Sequence, residues 1–288
     1  MKKILITGAN SFIGTSFERW CQKYPERYSI DTVDMRDDSW KEFSFSWYDV
    51  VFHVAGIAHV STNPKMEDLY YKVNRDLAIA TAEKAKADGV KQFIFMSSII
   101  VYGQSSKINL EKIITKDTIP QPKSFYGKSK LQAEEGIVPL QCENFNIVIL
   151  RPPMIYGAGA KGNYMKLAKL ARKSPLFPNI ENKRSMLYID NLCEFIRLVV
   201  DNQESGLFFP QNSEYVRTKD IVRLISEAHG RQIRFTKLFN PVLNLIGRID
   251  GPVNKAFGSL VYDKAMSEYK ENYRTSNFIQ SIKATEVN

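Results

Sequence analysis

The chain has little sulfur to build with: among its 288 residues are three cysteines, Cys21, Cys142 and Cys193. They form no metal-ligand spacing and no even disulfide set, which suits a reducing cytoplasm. Long hydrophobic runs are also missing. No stretch approaches the roughly 20 apolar residues of a membrane helix. The run Ile4-Leu5-Ile6 behind Lys2-Lys3 is too short for a signal peptide, and Gly8 and Asn10 break it. A soluble, cytoplasmic protein is therefore expected. There is no internal repeat and no low-complexity segment. The formal charge is +9, yet the lysines are scattered rather than gathered as in nucleic-acid readers. A solvated basic surface of that kind suits an anionic small molecule.

What is present is apolar substance, 44% hydrophobic and 12% aromatic, enough for one large α/β unit or two closely joined lobes. Lys3 to Thr7 is a short apolar run ending in glycine, as buried parallel strands do. Gly8 allows a tight turn, and a helix over about Ser11 to Lys23 then offers its N-terminal amides and dipole to a pyrophosphate. Ser29 to Val33 predicts a second strand. Asp34 follows it, twenty residues beyond Gly14, the distance expected of an acid that binds adenosine ribose hydroxyls. Its carboxylate repels the 2′-phosphate of NADP and favours NAD. Arg36 can pair with that phosphate, so NADP stays the alternative.

Further strands are expected at Asp49 to Gly56, Lys91 to Ser97 and Asn146 to Leu150. Glu67 to Asp88 has the period of an amphipathic helix. Asn163 to Lys173 and Thr218 to His229 also predict helices, the latter capped by Thr218. Gln232 to Thr236 is expected to be a strand. The apolar segment Leu238 to Ile246 is expected to be core or a pocket cover rather than a membrane anchor.

The chemistry centres on Tyr126 and Lys130. Four residues apart, they lie on one face of a helix, which Pro120 and Pro122 delimit on its N-terminal side. A free phenol has a pKa of about 10 and is a poor base at neutral pH. An ammonium group close by favours the phenolate and lowers that value. Such a pair can pass a proton to or from a substrate hydroxyl.

Three segments occur in one order: Thr7-Gly8-Ala9-Asn10-Ser11-Phe12-Ile13-Gly14, Met96-Ser97-Ser98-Ile99-Ile100-Val101-Tyr102-Gly103, and Phe125-Tyr126-Gly127-Lys128-Ser129-Lys130. With these the chain resembles the extended short-chain dehydrogenase/reductases, in particular the NAD-dependent epimerase/dehydratase family acting on nucleotide sugars. The resemblance runs from Met1 to about Asn202. It implies an α/β fold with a doubly wound parallel (Rossmann) sheet. The NAD(P)-binding domain would span 1–160, completed by about 185–205, with a smaller C-terminal substrate lobe of 161–184 and 206–288.

The resemblance also implies roles. Ser98, Tyr126 and Lys130 would be catalytic, with Ser98 orienting the substrate hydroxyl and Lys130 bonding the nicotinamide ribose. Cofactor contacts would come from Gly8, Asn10, Ser11, Phe12, Ile13, Gly14, Asp34, Arg36, Val54, Ala55, Gly56, Asn74, Tyr126, Lys130 and Pro152. Ser11 stands where the family keeps its middle glycine. Ser98, Tyr126 and Asn163 would face the substrate, and Arg184 would clamp its diphosphate. His53 is expected to be a packing residue, His59 and Ser61 to face the substrate, and no metal is expected.

The 4,6-dehydratases of the family carry Asp-Glu after the catalytic Ser or Thr. Ile99 and Ile100 stand there in this chain, so that reaction is not expected. The implied function is a UDP-sugar 4-epimerase working by hydride transfer through a 4-keto intermediate, of the kind used in polysaccharide biosynthesis. The alternative is an NAD(P)H-dependent 4-keto nucleotide-sugar reductase. A non-catalytic cofactor-binding regulator is a third reading, and the set Ser98, Tyr126 and Lys130 argues against it. The expected partner is a UDP-linked nucleotide-diphosphate sugar, with no nucleic acid and no membrane insertion, and the expected assembly is a homodimer.

Overall fold

A computed structural model of the chain describes residues 1–58, 63–249 and 251–287. His59 and Ser61 lie outside the described residues. In chain order the elements begin β1 (Lys2–Thr7), α1 (Phe12–Cys21), β2 (Tyr28–Val33), β3 (Val50–His53), α2 (Glu67–Tyr71), α3 (Leu77–Ala87), β4 (Gln92–Met96), β5 (Ile113–Ile114), α4 (Phe125–Ile137) and β6 (Asn146–Leu150). They continue β7 (Met154–Tyr156), α5 (Asn163–Lys173), β8 (Leu176–Pro178), β9 (Met186–Tyr188), α6 (Ile189–Asp201) and β10 (Gly206–Phe208). The last are α7 (Thr218–Ala228), β11 (Arg234–Thr236), α8 (Asn240–Ile246), α9 (Pro252–Phe257), β12 (Val261–Tyr262) and α10 (Phe278–Val287).

The chain divides into two compact units, the first formed by residues 1–103, 119–152 and 192–210. Its six-stranded sheet has the order β10-β6-β4-β3-β1-β2, and every pairing is parallel. Ile4, Leu5 and Ile6 in β1, Phe93 to Phe95 in β4 and Val148 to Leu150 in β6 are all buried. Such unbroken apolar strands need cover on both faces, which fits the expected doubly wound fold. The chain moves from β1 to β2 on one side and returns to β3 on the other. The order reverses between β1 and β3, where open parallel sheets take ligands outside the strand carboxyl ends. Gly8 closes β1 there with φ +118°, and a Cβ on it would stand 2.7 Å from the Ala55 amide nitrogen. Only glycine fits both demands.

The expected single helix over 67–88 is interrupted. Between α2 and α3 the residues Lys72–Asp76 form a π-helical turn. Wider turns of this kind re-aim side chains and recur at functional sites. Here the turn carries the buried Asn74.

The second unit comprises residues 104–118, 153–191 and 211–288. Two-stranded parallel pairs join β5 to β12, β7 to β9 and β8 to β11. Glu286 on α10 accepts hydrogen bonds from Tyr164 of α5 at 2.8 Å and pairs with His229, just past α7, at 2.8 Å. Thr218 does not cap α7 with its own hydroxyl. The Asn182 side chain accepts from the Thr218 amide at 2.9 Å, and the Thr218 hydroxyl donates to Ala256 O at 2.7 Å.

The segment around α8 departs from expectation. Leu238, Val242, Leu245 and Ile246 are exposed, so the segment is not core. The side that packs carries Asn240, Leu243 and Gly247, the last buried beside Ile108. An apolar period shows that a face exists but not which way it points.

Candidate active site

The residues expected to hold a dinucleotide sit at the carboxyl ends of the first unit's strands. Gly8, Asn10, Ser11, Phe12, Ile13 and Gly14 form the turn from β1 into α1, and Asn10 has a left-handed φ of +60°. Ser11 is the N-cap of α1, its hydroxyl accepting from the Gly14 amide at 3.1 Å. The serine in the glycine's place thus satisfies one of the amides a helix start leaves open. Asp34 follows β2 at the surface. Its carboxylate accepts from the Arg36 Nε at 2.8 Å and from the Arg36 amide at 3.0 Å, and these bonds lower its pKa. Val54, Ala55 and Gly56 follow β3, and Pro152 follows β6.

One group is brought together closely. The Asn74 side chain bonds both backbone groups of Ile57, at 2.9 and 3.0 Å, and donates to the Ser129 hydroxyl at 3.2 Å. A Cβ on Gly56 would meet Asn74 Oδ1 at 3.0 Å and Lys130 Nζ at 3.4 Å. Gly56 therefore passes close to the Asn74 amide and the buried Lys130 ammonium, where a larger residue would crowd both. Together with the α1 start for a diphosphate and Asp34 for a ribose diol, these groups fit a dinucleotide cofactor.

Helix α4 presents Tyr126 and Lys130. It is capped by Ser124, whose hydroxyl accepts from the Gly127 amide at 3.1 Å, so the helix starts where the proline-rich stretch ends. Lys130 is buried, donates to Met96 O at 2.7 Å and lies 4.5 Å from the Phe95 ring centre. Burial pulls its pKa down to about 7, opposed by the Glu134 carboxylate one turn further along. Ser98 caps the short turn after β4, its hydroxyl accepting from the Ile100 amide at 3.3 Å. Burial pushes the Tyr126 phenol up to about 12, with Ser98 acting in the lowering direction and Tyr70 in the raising one.

The expected depression of the phenol by Lys130 is therefore not seen in this state. Lys130 points to the Met96 carbonyl, and desolvation dominates both groups. His53 is the packing residue expected of it: buried, 2.8 Å from the Thr7 hydroxyl and stacked on Phe93 and Phe95. Burial, and secondarily the Lys130 charge, take its pKa down to about 3, so it stays neutral.

The sequence reading missed the groups beneath α4. The Arg151 Nε donates to both Glu134 oxygens at 3.1 Å, and Arg151 Nη1 donates to the Tyr102 hydroxyl at 2.6 Å. The Ser97 hydroxyl also donates to Glu134. Glu134 follows Lys130 by one helical turn, and that Tyr, Lys, Glu spacing was the available signal.

Asn163 and Arg184 belong to the second unit. Asn163 is exposed at the start of α5. The Arg184 Nη1 donates to Lys255 O at 2.7 Å and Gly258 O at 3.3 Å. Burial draws its pKa down to about 10, and among the described residues no carboxylate pairs with it. A desolvated guanidinium of this kind suits a phosphate oxygen. No group of three or more His, Cys, Asp or Glu side chains able to hold a metal occurs among the described residues. Nor is any helix among them long and apolar enough to cross a membrane.

Comparison with known proteins agrees with this geometry. The chain is 30% identical over 250 residues to a UDP-glucose 4-epimerase of Vibrio cholerae, covering 79% of this chain and 76% of the relative. A crystal structure of a dTDP-4-dehydrorhamnose reductase from Clostridium acetobutylicum superposes with a TM-score of 0.76 at 21% identity, over 98% of each chain. A UDP-glucuronic acid 4-epimerase from Bacillus cereus, in complex with NAD, gives a TM-score of 0.74 at 20% identity, over 99% of this chain and 97% of that one. The model of the NAD dependent epimerase/dehydratase family matches residues 4–209. With the glycine turn, the parallel sheet and the Ser98, Tyr126 and Lys130 arrangement, this chain belongs to the NAD dependent epimerase/dehydratase family of enzymes.

Proposed function

We propose that the chain is a UDP-sugar 4-epimerase that works with NAD. The observation that carries the reading is the placement of Tyr126 and the buried Lys130 one turn apart on α4, with Ser98 after β4 acting on the phenol in the lowering direction. Cofactor binding alone needs no general base, so the set argues for turnover. The Vibrio cholerae relative, a UDP-glucose 4-epimerase, supports UDP as the nucleotide. Bound beside these residues, NAD would supply hydride acceptance and return at the sugar C4.

In this reading Tyr126 takes the proton of the C4 hydroxyl and later returns it, while Ser98 orients that hydroxyl. Lys130 donates to the ribose hydroxyls. The Asn74 side chain and Glu134 keep the α4 face in place. Arg184 holds the substrate diphosphate. Ile99 and Ile100 offer no acid or base, so water is not eliminated and products keep their C6 oxygen. Among the described residues no disulfide joins Cys21, Cys142 and Cys193, which supports a cytoplasmic setting.

A second reading, the 4-keto sugar reductase, uses the same residues and is favoured by Arg36, whose side chain is exposed and able to receive the 2′-phosphate of NADP. Incubation with UDP-hexoses, with and without added NADPH, separates the two. A 4-epimer formed without a net reductant supports the first reading. Product that appears only with stoichiometric NADPH supports the second.

A further inference from the structure

Neither reading uses the segment 238–249, whose surface is unusual for a soluble fold. Its backbone follows a helix and its exit turn, with Leu243 N bonded to Phe239 O at 2.9 Å and Ile249 N bonded to Ile246 O at 3.2 Å. At 3.6 residues per turn, Leu238, Val242, Leu245 and Ile249 share one face. These four are 84%, 59%, 63% and 75% exposed. Phe239 and Ile246 extend the same face and are exposed as well.

The segment is held to its unit from the other side. Gly247 is buried beside Ile108, and the buried Asn254 side chain donates to Gly247 O at 2.9 Å and Ile249 O at 3.1 Å. Backbone-directed bonds thus fix the ridge while its large apolar side chains stay in water. Single exposed apolar residues need no explanation, but a contiguous set marks a contact surface.

Charge indicates what the ridge contacts. Lys237 and Arg248, eleven residues apart, fall on the same border of the apolar face. Both are exposed, as are Arg231, Arg234 and Lys255. Residues 231–255 hold these five cations and one acid, Asp250. A symmetric pairing of two copies through the ridge would set this cationic border against itself, which is unfavourable. An exposed apolar face edged by Lys and Arg is instead the composition of helices that lie in the lipid interface.

We propose that segment 238–249 docks the chain onto a bilayer surface that carries anionic lipid. Leu238, Val242, Leu245 and Ile249 enter the boundary between headgroups and acyl chains, and Lys237 and Arg248 meet headgroup phosphates. This departs from the sequence expectation that Leu238 to Ile246 is core or a pocket cover rather than a membrane anchor.

The test is vesicle flotation of the full chain with phosphatidylcholine alone and with phosphatidylcholine containing phosphatidylglycerol. Binding to the anionic vesicles and its loss in high salt are expected. Lys237→Ala with Arg248→Ala should weaken it roughly 25-fold, about fivefold per cation. Leu238→Glu with Leu245→Glu should weaken it by about tenfold or more for each residue. Both variants should keep wild-type thermal unfolding and NAD affinity, because the altered side chains are exposed. Absent binding to anionic vesicles, or binding unchanged in both variants, would overturn the proposal. So would a wild-type dimer in sedimentation that the Leu238→Glu and Leu245→Glu variant dissolves, since a second copy would then cover the ridge.

Discussion

Lys130 in the first unit, buried, and Arg184 in the second, half-buried, are both cations bonded to backbone carbonyls. Burial lowers both, yet to different ends. Lys130 reaches about 7 and can gain or lose its proton at neutral pH, while Arg184 reaches about 10 and stays charged. Arg151 is a useful third case, buried but paired with Glu134, whose hydrogen bonds oppose the cost of burial. A paired cation has its counter-charge already, and removing one member of such a pair leaves an uncompensated buried charge. Lys130 and Arg184 instead carry a solvation deficit that a ligand can relieve. The difference between them assigns a permanent anion holder to one unit and a protonation-sensitive group to the other.

The largest expected effect comes from removing the titrating cation. Lys130→Met should lower turnover by roughly 10²–10⁴-fold, the span for losing a positioned acid–base group. Unchanged steady-state turnover would detach Lys130 from the chemistry. Arg184 should behave differently. Arg184→Leu should raise KM for a UDP-sugar by about 10- to 150-fold, the worth of a charge-assisted hydrogen bond, and leave NAD affinity intact. An equal loss of NAD affinity would erase the distinction between the two cations.

The depressed pKa of Lys130 also has a stability signature. The unfolded lysine, near 10.5, holds a proton that the folded one, near 7, has released. Between these values the unfolded state binds more protons, so stability from this group rises with pH and is lost as pH falls towards 7. Wild-type unfolding free energy should therefore rise more steeply than that of Lys130→Met between about pH 7.5 and 9.5. The excess slope should be about 1.4 kcal/mol per pH unit. Denaturant titrations across that range check it, and parallel slopes would place the lysine pKa at its ordinary value. The smallest effect is expected at the surface. Asp34→Ala should narrow the preference for NAD over NADP by no more than about tenfold, because its exposed pairing with Arg36 is worth little. Isothermal titration of both cofactors decides it, and a preference that is unchanged would remove Asp34 from cofactor choice.

Much of the first unit was legible in the sequence because its signals are local and redundant. Ile4 to Ile6 and Val148 to Leu150 are unbroken apolar runs with only one stable environment, the middle of a parallel sheet. Ser98, Tyr126 and Lys130 were legible through the order of three motifs. What escaped depended on the backbone path or on direction. The π turn at Lys72–Asp76 changes the hydrogen-bond period without changing the apolar one, so Asn74 was named through the resemblance but the turn that carries it was not foreseen. Spacing placed Lys130 beside Tyr126 but could not show its ammonium turned to Met96 O. Glu134 and Arg151 meet only in three dimensions. In the second unit, Leu238 to Ile246 has the same period whether its apolar face is buried or exposed, and only the packing of Gly247 tells them apart.

The central claim is that Tyr126 moves the proton at the substrate's reacting hydroxyl, and a single-turnover experiment tests it most directly. NAD-loaded wild type and Tyr126→Phe are mixed with an accepted UDP-hexose while nicotinamide reduction is followed by absorbance. The account predicts NAD affinity within about twofold of wild type and a reduction rate lower by roughly 10²–10⁴-fold in the phenylalanine variant. A near wild-type rate in that variant would contradict it.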